Sequence, residues 1–308
     1  MGCSPVAGQV RGIPVGSVAP ARLFSQSALD FPVAATQNCG MYLRFFQLRE
    51  APFSITPDPR YLFFTPIHRA AFDHLVYGVS SRRGFIELTG EVGCGKTTIC
   101  RAVLAKLGDS VRSALILNPC LSGQQLLRAI VTDFGLTAPR DRLGLLGALN
   151  AFLLKQAASG GNVVLIIDEA QDLSTRTMEE VRLLSNLETA QHKLIQIVLA
   201  GQPELKQRLE APELRQLRQR ITVRTHIPPL GVSDIAGYID HRLRTAGAPD
   251  DVQFDAEACN HVAAYSGGVP RMINAVCDYA MLAGYTMTTR VITEACVQRA
   301  VRQLEEGV

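Results

Sequence analysis

Gly90-Glu91-Val92-Gly93-Cys94-Gly95-Lys96-Thr97 matches the pattern GxxxxGK[ST] at every fixed position. The stretch follows a short apolar run at 85–89 and precedes a helical pattern at 97–106, so it reads as strand, glycine loop and helix. The chemistry follows from the backbone. Glycines let the chain curl until successive N–H groups and a helix N-terminus face an anion, as phosphate groups require. Lys96 would neutralise charge on the β- and γ-phosphates, and the Thr97 hydroxyl would ligate magnesium. The candidate nucleotide-binding residues are therefore Gly90, Glu91, Val92, Gly93, Cys94, Gly95, Lys96, Thr97 and Thr98, with Val92 and Cys94 filling the loop.

Some seventy residues on, Val163-Val164-Leu165-Ile166-Ile167 is an apolar strand that ends in Asp168 and Glu169. Two acids there have two readings. Either they cap the next helix, or Asp168 holds magnesium through water while Glu169 orients the attacking water. The second reading joins the two motifs into one catalytic site, with Glu169 and Lys96 as catalytic residues and Thr97 and Asp168 as metal ligands.

A third strand at 195–199 leads into Ala200-Gly201-Gln202-Pro203, where Gln202 is either a turn residue or a sensor of the γ-phosphate. Arg215, Arg218 and Arg220 follow, immediately before a strand at 221–225. They form a solvated helix face, or they include an arginine that reaches the ATP of a neighbouring subunit. In Gly267-Gly268-Val269-Pro270-Arg271 the proline suits the first position of a helix. Arg271 is then part of a capped helix start, or a lid arginine that contacts phosphates from above.

Strands at 85–89, 114–117, 163–167, 195–199 and 221–225 alternate with helical stretches at 97–106, 123–134, 143–158 and 178–189. That alternation predicts an α/β fold with a parallel sheet flanked by helices. After Pro228 and Pro229 the strand signals stop, and helices are predicted at 232–246, 255–266, 270–286 and 292–305, a small all-helical lid. Residues 1–40, rich in Gly, Ala, Ser, Pro and Val and without sustained periodicity, are expected to be a disordered extension. The expected units are 1–40, a nucleotide-binding domain at 41–228 and a helical lid at 229–308.

The 308 residues are 47% hydrophobic and 19% charged, which is ordinary globular composition. Thirty-one basic against 28 acidic residues leave a net charge of +3, too small to argue for nucleic acid or anionic membrane on charge alone. No segment has the roughly 18 consecutive apolar residues of a membrane span. The opening MGCSPV has Val6 where an acylation signal wants Ser or Thr, so a cytoplasmic protein is expected. Eight cysteines lie scattered without CxxC pairs, which argues against structural zinc and a disulfide framework.

The order of these elements, P-loop, Asp-Glu-Ala-Gln box, Gln202, arginines before the last strand and Gly-Val-Pro-Arg in a helical lid, resembles the AAA+ superfamily of P-loop NTPases. Within it, the block MYLRFFQLREAPFSITPDPRYLFF from Met41, with EVGCGKTT, LIIDEAQ, VRLLSNLE, IVLAGQPEL and LRQRITVR, resembles the ExeA type, the general secretion pathway protein A ATPases and their exosortase-associated relatives. The resemblance covers 41 to about 305. It implies an ATPase that uses ATP and Mg2+, works as a homo-oligomer with shared sites, and couples energy to a protein partner in envelope secretion or exopolysaccharide export. It also implies Arg220 as the arginine supplied in trans, with Arg218 as the alternative, Arg271 at the second sensor and Gln202 near the first. ExeA itself continues into a membrane span and a peptidoglycan-binding domain, so the resemblance is to its ATPase half. The alternative function is that of a DNA-associated transposition helper ATPase, whose core is closely similar. An intact Glu169 argues against a non-hydrolysing signalling switch.

Overall fold

The computed structural model describes residues 41–188 and 193–306. The expected extension at 1–40 lies outside the described residues. Five strands, β1 (Phe85–Gly90), β2 (Val111–Ile116), β3 (Asn162–Ile167), β4 (Gln196–Gly201) and β5 (Ile221–Ile227), form one sheet in the order β2-β3-β4-β1-β5. Every neighbouring pair is parallel. β3 shows why: Val163, Leu165 and Ile167 are buried against one layer of helices while Val164 and Ile166 are buried against the other. A strand covered on both faces has no polar side to alternate with, so it reads as a continuous apolar run.

On one face lie α1 (Pro66–Ser80) and α2 (Lys96–Leu107), which pack Phe72, Leu75, Ile99 and Val103 against Ile86, Leu88 and Val198. On the other lie α3 (Gly123–Asp133), α4 (Arg142–Ala158), α5 (Thr175–Leu184) and the short α6 (Pro203–Leu209) and α7 (Arg215–Arg220). α5 begins three residues before its predicted start at 178. Ser174 caps it, its hydroxyl accepting the Thr177 N–H at 3.1 Å, so a polar first turn without apolar periodicity is helical all the same. β2 likewise starts earlier than predicted, because Arg112 and Ser113 of this edge strand are exposed and carry no apolar signal.

The C-terminal part consists of α8 (Val232–Thr245), α9 (Ala256–Ser266), α10 (Pro270–Thr286) and α11 (Glu294–Glu306). Two residue pairs, Gln253–Phe254 and Val291–Ile292, add a short parallel ladder that the sequence did not predict, being too short to show a period of two. One boundary falls differently from the expected division. Residues 41–46 are helical, and Tyr42, Phe46, Leu48, Phe53 and Tyr61 share a core with Ile235, Tyr238, Ile273 and Val297 of the C-terminal helices. The segment expected to open the nucleotide-binding domain thus packs on the helical part. Aromatic area can be buried against any apolar face, and local pattern does not say which one.

Candidate functional site

In a parallel sheet the carboxyl ends of all strands lie along one edge, where ligands of open α/β folds bind. β1 runs into the glycine loop at Gly90, β3 into Asp168 and Glu169, and β4 into Gln202. The register pairs Thr89 with Gly201 and Ile167 with Leu199, which brings the three tips side by side.

Within the loop, Lys96 is only 5% exposed. Its ammonium donates to the carbonyls of Gly90 at 2.9 Å and Glu91 at 3.1 Å. α2 starts at Lys96, so the free N–H groups of its first turn face the same cleft. Gly93 takes φ 81°, and a Cβ there would stand 2.6 Å from the Cβ of Arg271. The Arg271 N–H donates to the Gly93 carbonyl at 3.3 Å. That contact seats the start of α10 directly on the loop. Cys94 turns into the core under the loop, where burial pushes its thiol up, while Val92 stays exposed.

The Thr97 hydroxyl donates to Oδ2 of Asp168, and Oδ1 of Asp168 accepts the N–H of Glu169 at 3.0 Å. Asp168 is 4% exposed. Burial pushes its carboxyl above the usual range, partly offset by the Thr97 hydroxyl and the Glu169 N–H. Glu169 holds φ 49° and ψ 39°, a left-handed backbone that costs a non-glycine residue about 1–3 kcal/mol and is concentrated at functional sites. The kink turns Glu169 into the cleft lined by Gly93, Lys96 and Thr97.

Behind Glu169 two amides converge on one oxygen. Gln171 Nε2 donates to Oε2 at 2.8 Å and Gln202 Nε2 donates to the same oxygen at 3.3 Å. Gln202 therefore lies on the carboxylate that the sequence reading made catalytic. Gln171 has no role in that reading, although it stands in the quoted Asp-Glu-Ala-Gln box. Arg208 of α6 donates to the carbonyls of Gln171 and Leu173, tying the turn to the helix that follows Gln202.

The sequence missed the far wall of the cleft. Ile55, Pro57 and Tyr61 line it, together with His68, Tyr238 and Asn274. Arg242 of α8 holds that wall, donating to the carbonyls of Pro52 at 2.5 Å and Ser54 at 3.0 Å and to the Tyr238 hydroxyl at 3.0 Å. Its guanidinium also lies 4.7 Å from the Tyr61 ring centroid. The available signal was the aromatic and proline-rich composition of 42–64, which shows that the block is ordered but not what it faces.

Among the predicted residues, the loop 90–98, Asp168, Glu169, Gln202 and Arg271 come together. Arg220 does not. It precedes β5, whose Ile221 pairs with Phe85 at the opposite end of β1, and it donates to the Ser185 hydroxyl at 2.6 Å and to the Asn186 side chain at 2.7 Å. No helix of the described residues is long and apolar enough to cross a membrane. Among them, Cys94, Cys100, Cys120, Cys259, Cys277 and Cys296 are free thiols.

Comparisons with known proteins fit this geometry. Residues 79–209 match the AAA domain family. The chain is 43% identical over 266 residues to General secretion pathway protein A of Aeromonas hydrophila, an alignment spanning 86% of this chain and 48% of that protein. The chain thus spans about half the length of that relative. Among solved structures it is similar to Cdc6p from Pyrobaculum aerophilum, at TM-score 0.65 and 15% identity over 82% of this chain and 70% of that one. It is also similar to the Aeropyrum pernix ORC2 protein, at TM-score 0.59 and 18% identity over 77% and 66%. Residues 79–209 therefore form an AAA domain of P-loop fold, and the chain is a homologue of General secretion pathway protein A over the matched part of its length.

Proposed function

We propose that this chain binds ATP with magnesium and hydrolyses it as an energy-coupling ATPase of an envelope secretion or export system. The observation that carries the reading is the meeting of two distant motifs: Thr97 of the loop is hydrogen-bonded to Asp168 of β3, and Glu169 opens into the same cleft. Lys96 and the N-terminal N–H groups of α2 bind the phosphates by charge and dipole. Thr97 and Asp168 offer two hard oxygens of the kind magnesium takes, and they fit the ion because they already converge on one point beside the loop. Magnesium bound there would supply charge neutralisation at the phosphates. Glu169 orients the attacking water and accepts its proton. Arg271, seated on Gly93, reaches the nucleotide from the helical part, which serves as a lid over the AAA domain. Arg220 completes the site of a neighbouring subunit in a homo-oligomer. The identity shared with a secretion protein supports an envelope partner over the DNA-associated alternative.

Calorimetry and steady-state turnover test the assignment. Lys96→Ala should weaken ATP binding strongly, because the mobile charge facing the phosphates is lost. Glu169→Gln should keep ATP binding while turnover falls by about 10²–10⁴-fold, the usual worth of a positioned base. Wild-type turnover in Glu169→Gln would remove Glu169 from the mechanism.

A further inference from the structure

Glu169 is held from behind by a group outside the cleft. Gln171 is buried, 8% exposed, and both ends of its side-chain amide are used. The NH2 donates to Oε2 of Glu169 at 2.8 Å, and the carbonyl accepts the backbone N–H of Gln202 at 3.0 Å. One side chain thus bridges the turn after β3 to the tip of β4. The sheet is shaped to admit it. A Cβ on Gly201 would stand 2.8 Å from Oε1 of Gln171, closer than real Cβ contacts come. Arg208 adds a second bridge, running from α6, the helix that follows the β4 tip, back to the main-chain carbonyl of Gln171.

We propose that Gln171 is a positioning residue, which fixes the carboxylate of Glu169 and makes its orientation depend on where the β4 tip and α6 sit. The proposal rests on Glu169 acting as the base. A carboxylate on a kinked backbone has rotamers that point away from the cleft. An amide clamped at its other end to a main-chain N–H selects among them without touching the nucleotide. Gln202 donates to the same oxygen from the same tip. Any displacement of that tip would therefore move both donors together, and the carboxylate with them.

Two variants of the full chain test this. Gln171→Leu keeps the bulk and removes both hydrogen bonds. Gly201→Ala leaves Gln171 intact and pushes its amide off the Gln202 N–H. Turnover and ATP affinity are measured on each beside Glu169→Gln. A misplaced base should lower kcat by about 10²-fold in Gln171→Leu, and by less in Gly201→Ala, with ATP affinity within about twofold of wild type. The proposal is overturned if both variants turn over at the wild-type rate, or if any loss of kcat is matched by an equal loss of ATP affinity, as a general disturbance would give. If Gln171→Leu does not fold, Gly201→Ala decides alone. If Glu169→Gln itself hydrolyses ATP at the wild-type rate, the failure belongs to the assignment of the base and not to the bridge.

Discussion

Lys96 and Asp168 are charged side chains, each about 95% shielded from solvent, and such burial is costly unless the charge has partners. Lys96 has two carbonyls and Asp168 has a hydroxyl and an N–H. Neither is neutralised by the other's direct contact, a setting that fits the proposed binding of a nucleotide together with magnesium. Asp278 shows the same physics away from the site. It lies on α10 and meets the N-terminal segment, where Oδ1 accepts the Tyr42 hydroxyl at 2.7 Å, and burial raises its carboxyl above the ordinary 3.8 despite that bond. The folded state then binds the Asp278 proton more tightly than the unfolded chain. Its contribution to stability is present in full below pH 3.8 and is lost as pH rises through the folded value. Asp278→Asn, which keeps an oxygen for Tyr42, should thus be more stable than wild type at neutral pH, and the two should converge in acid. Urea titrations at both pH values check this; a gap of the same size at each would contradict it.

Among the elements, those with a strong period were legible: β1, β3 and β4, and the helices α2, α4 and α10, lie within a few residues of their predicted places. What escaped were elements set by contacts rather than by pattern. α6 and α7 are too short for a helical period, and the first turn of α5 depends on the Ser174 cap. The destination of residues 41–61 was the largest such case. Phe46 is fully buried among the C-terminal helices and meets Tyr42 and Phe45 edge-on. Removing its ring should leave a cavity in that core, so Phe46→Ala should lower the stability of the protein by about 3–5 kcal/mol. Denaturant unfolding measures this directly. A loss below about 1 kcal/mol, the level of a surface substitution, would mean that the segment does not form part of the core.

At the scale of the whole molecule, Arg220 and the glycine loop occupy opposite ends of the sheet. β1 runs the distance between them, about 20 Å at roughly 3.3 Å per residue, beyond the reach of an arginine side chain. If Arg220 serves catalysis it does so on another subunit's nucleotide, where such an arginine is worth about 10³–10⁵ in rate. Mixing Arg220→Ala subunits with Glu169→Gln subunits should restore part of the activity that each lacks, at interfaces where two good halves meet. No recovery in a preparation shown to contain mixed oligomers would count against this, and full activity of Arg220→Ala alone would eliminate it. The sequence by itself determined the parallel α/β fold and singled out the two motifs that meet in the cleft, the loop at 90–98 and the carboxylates at 168 and 169. Those signals are local, a glycine pattern that only one backbone shape satisfies and an apolar run that must be buried on both faces. Only the tertiary structure decided which core took residues 41–61, that α10 rests on Gly93, and that Gln171 and Gln202 share one oxygen of Glu169. These are contacts between segments far apart in the chain, and the side chains that make them carry no periodicity that names their partner.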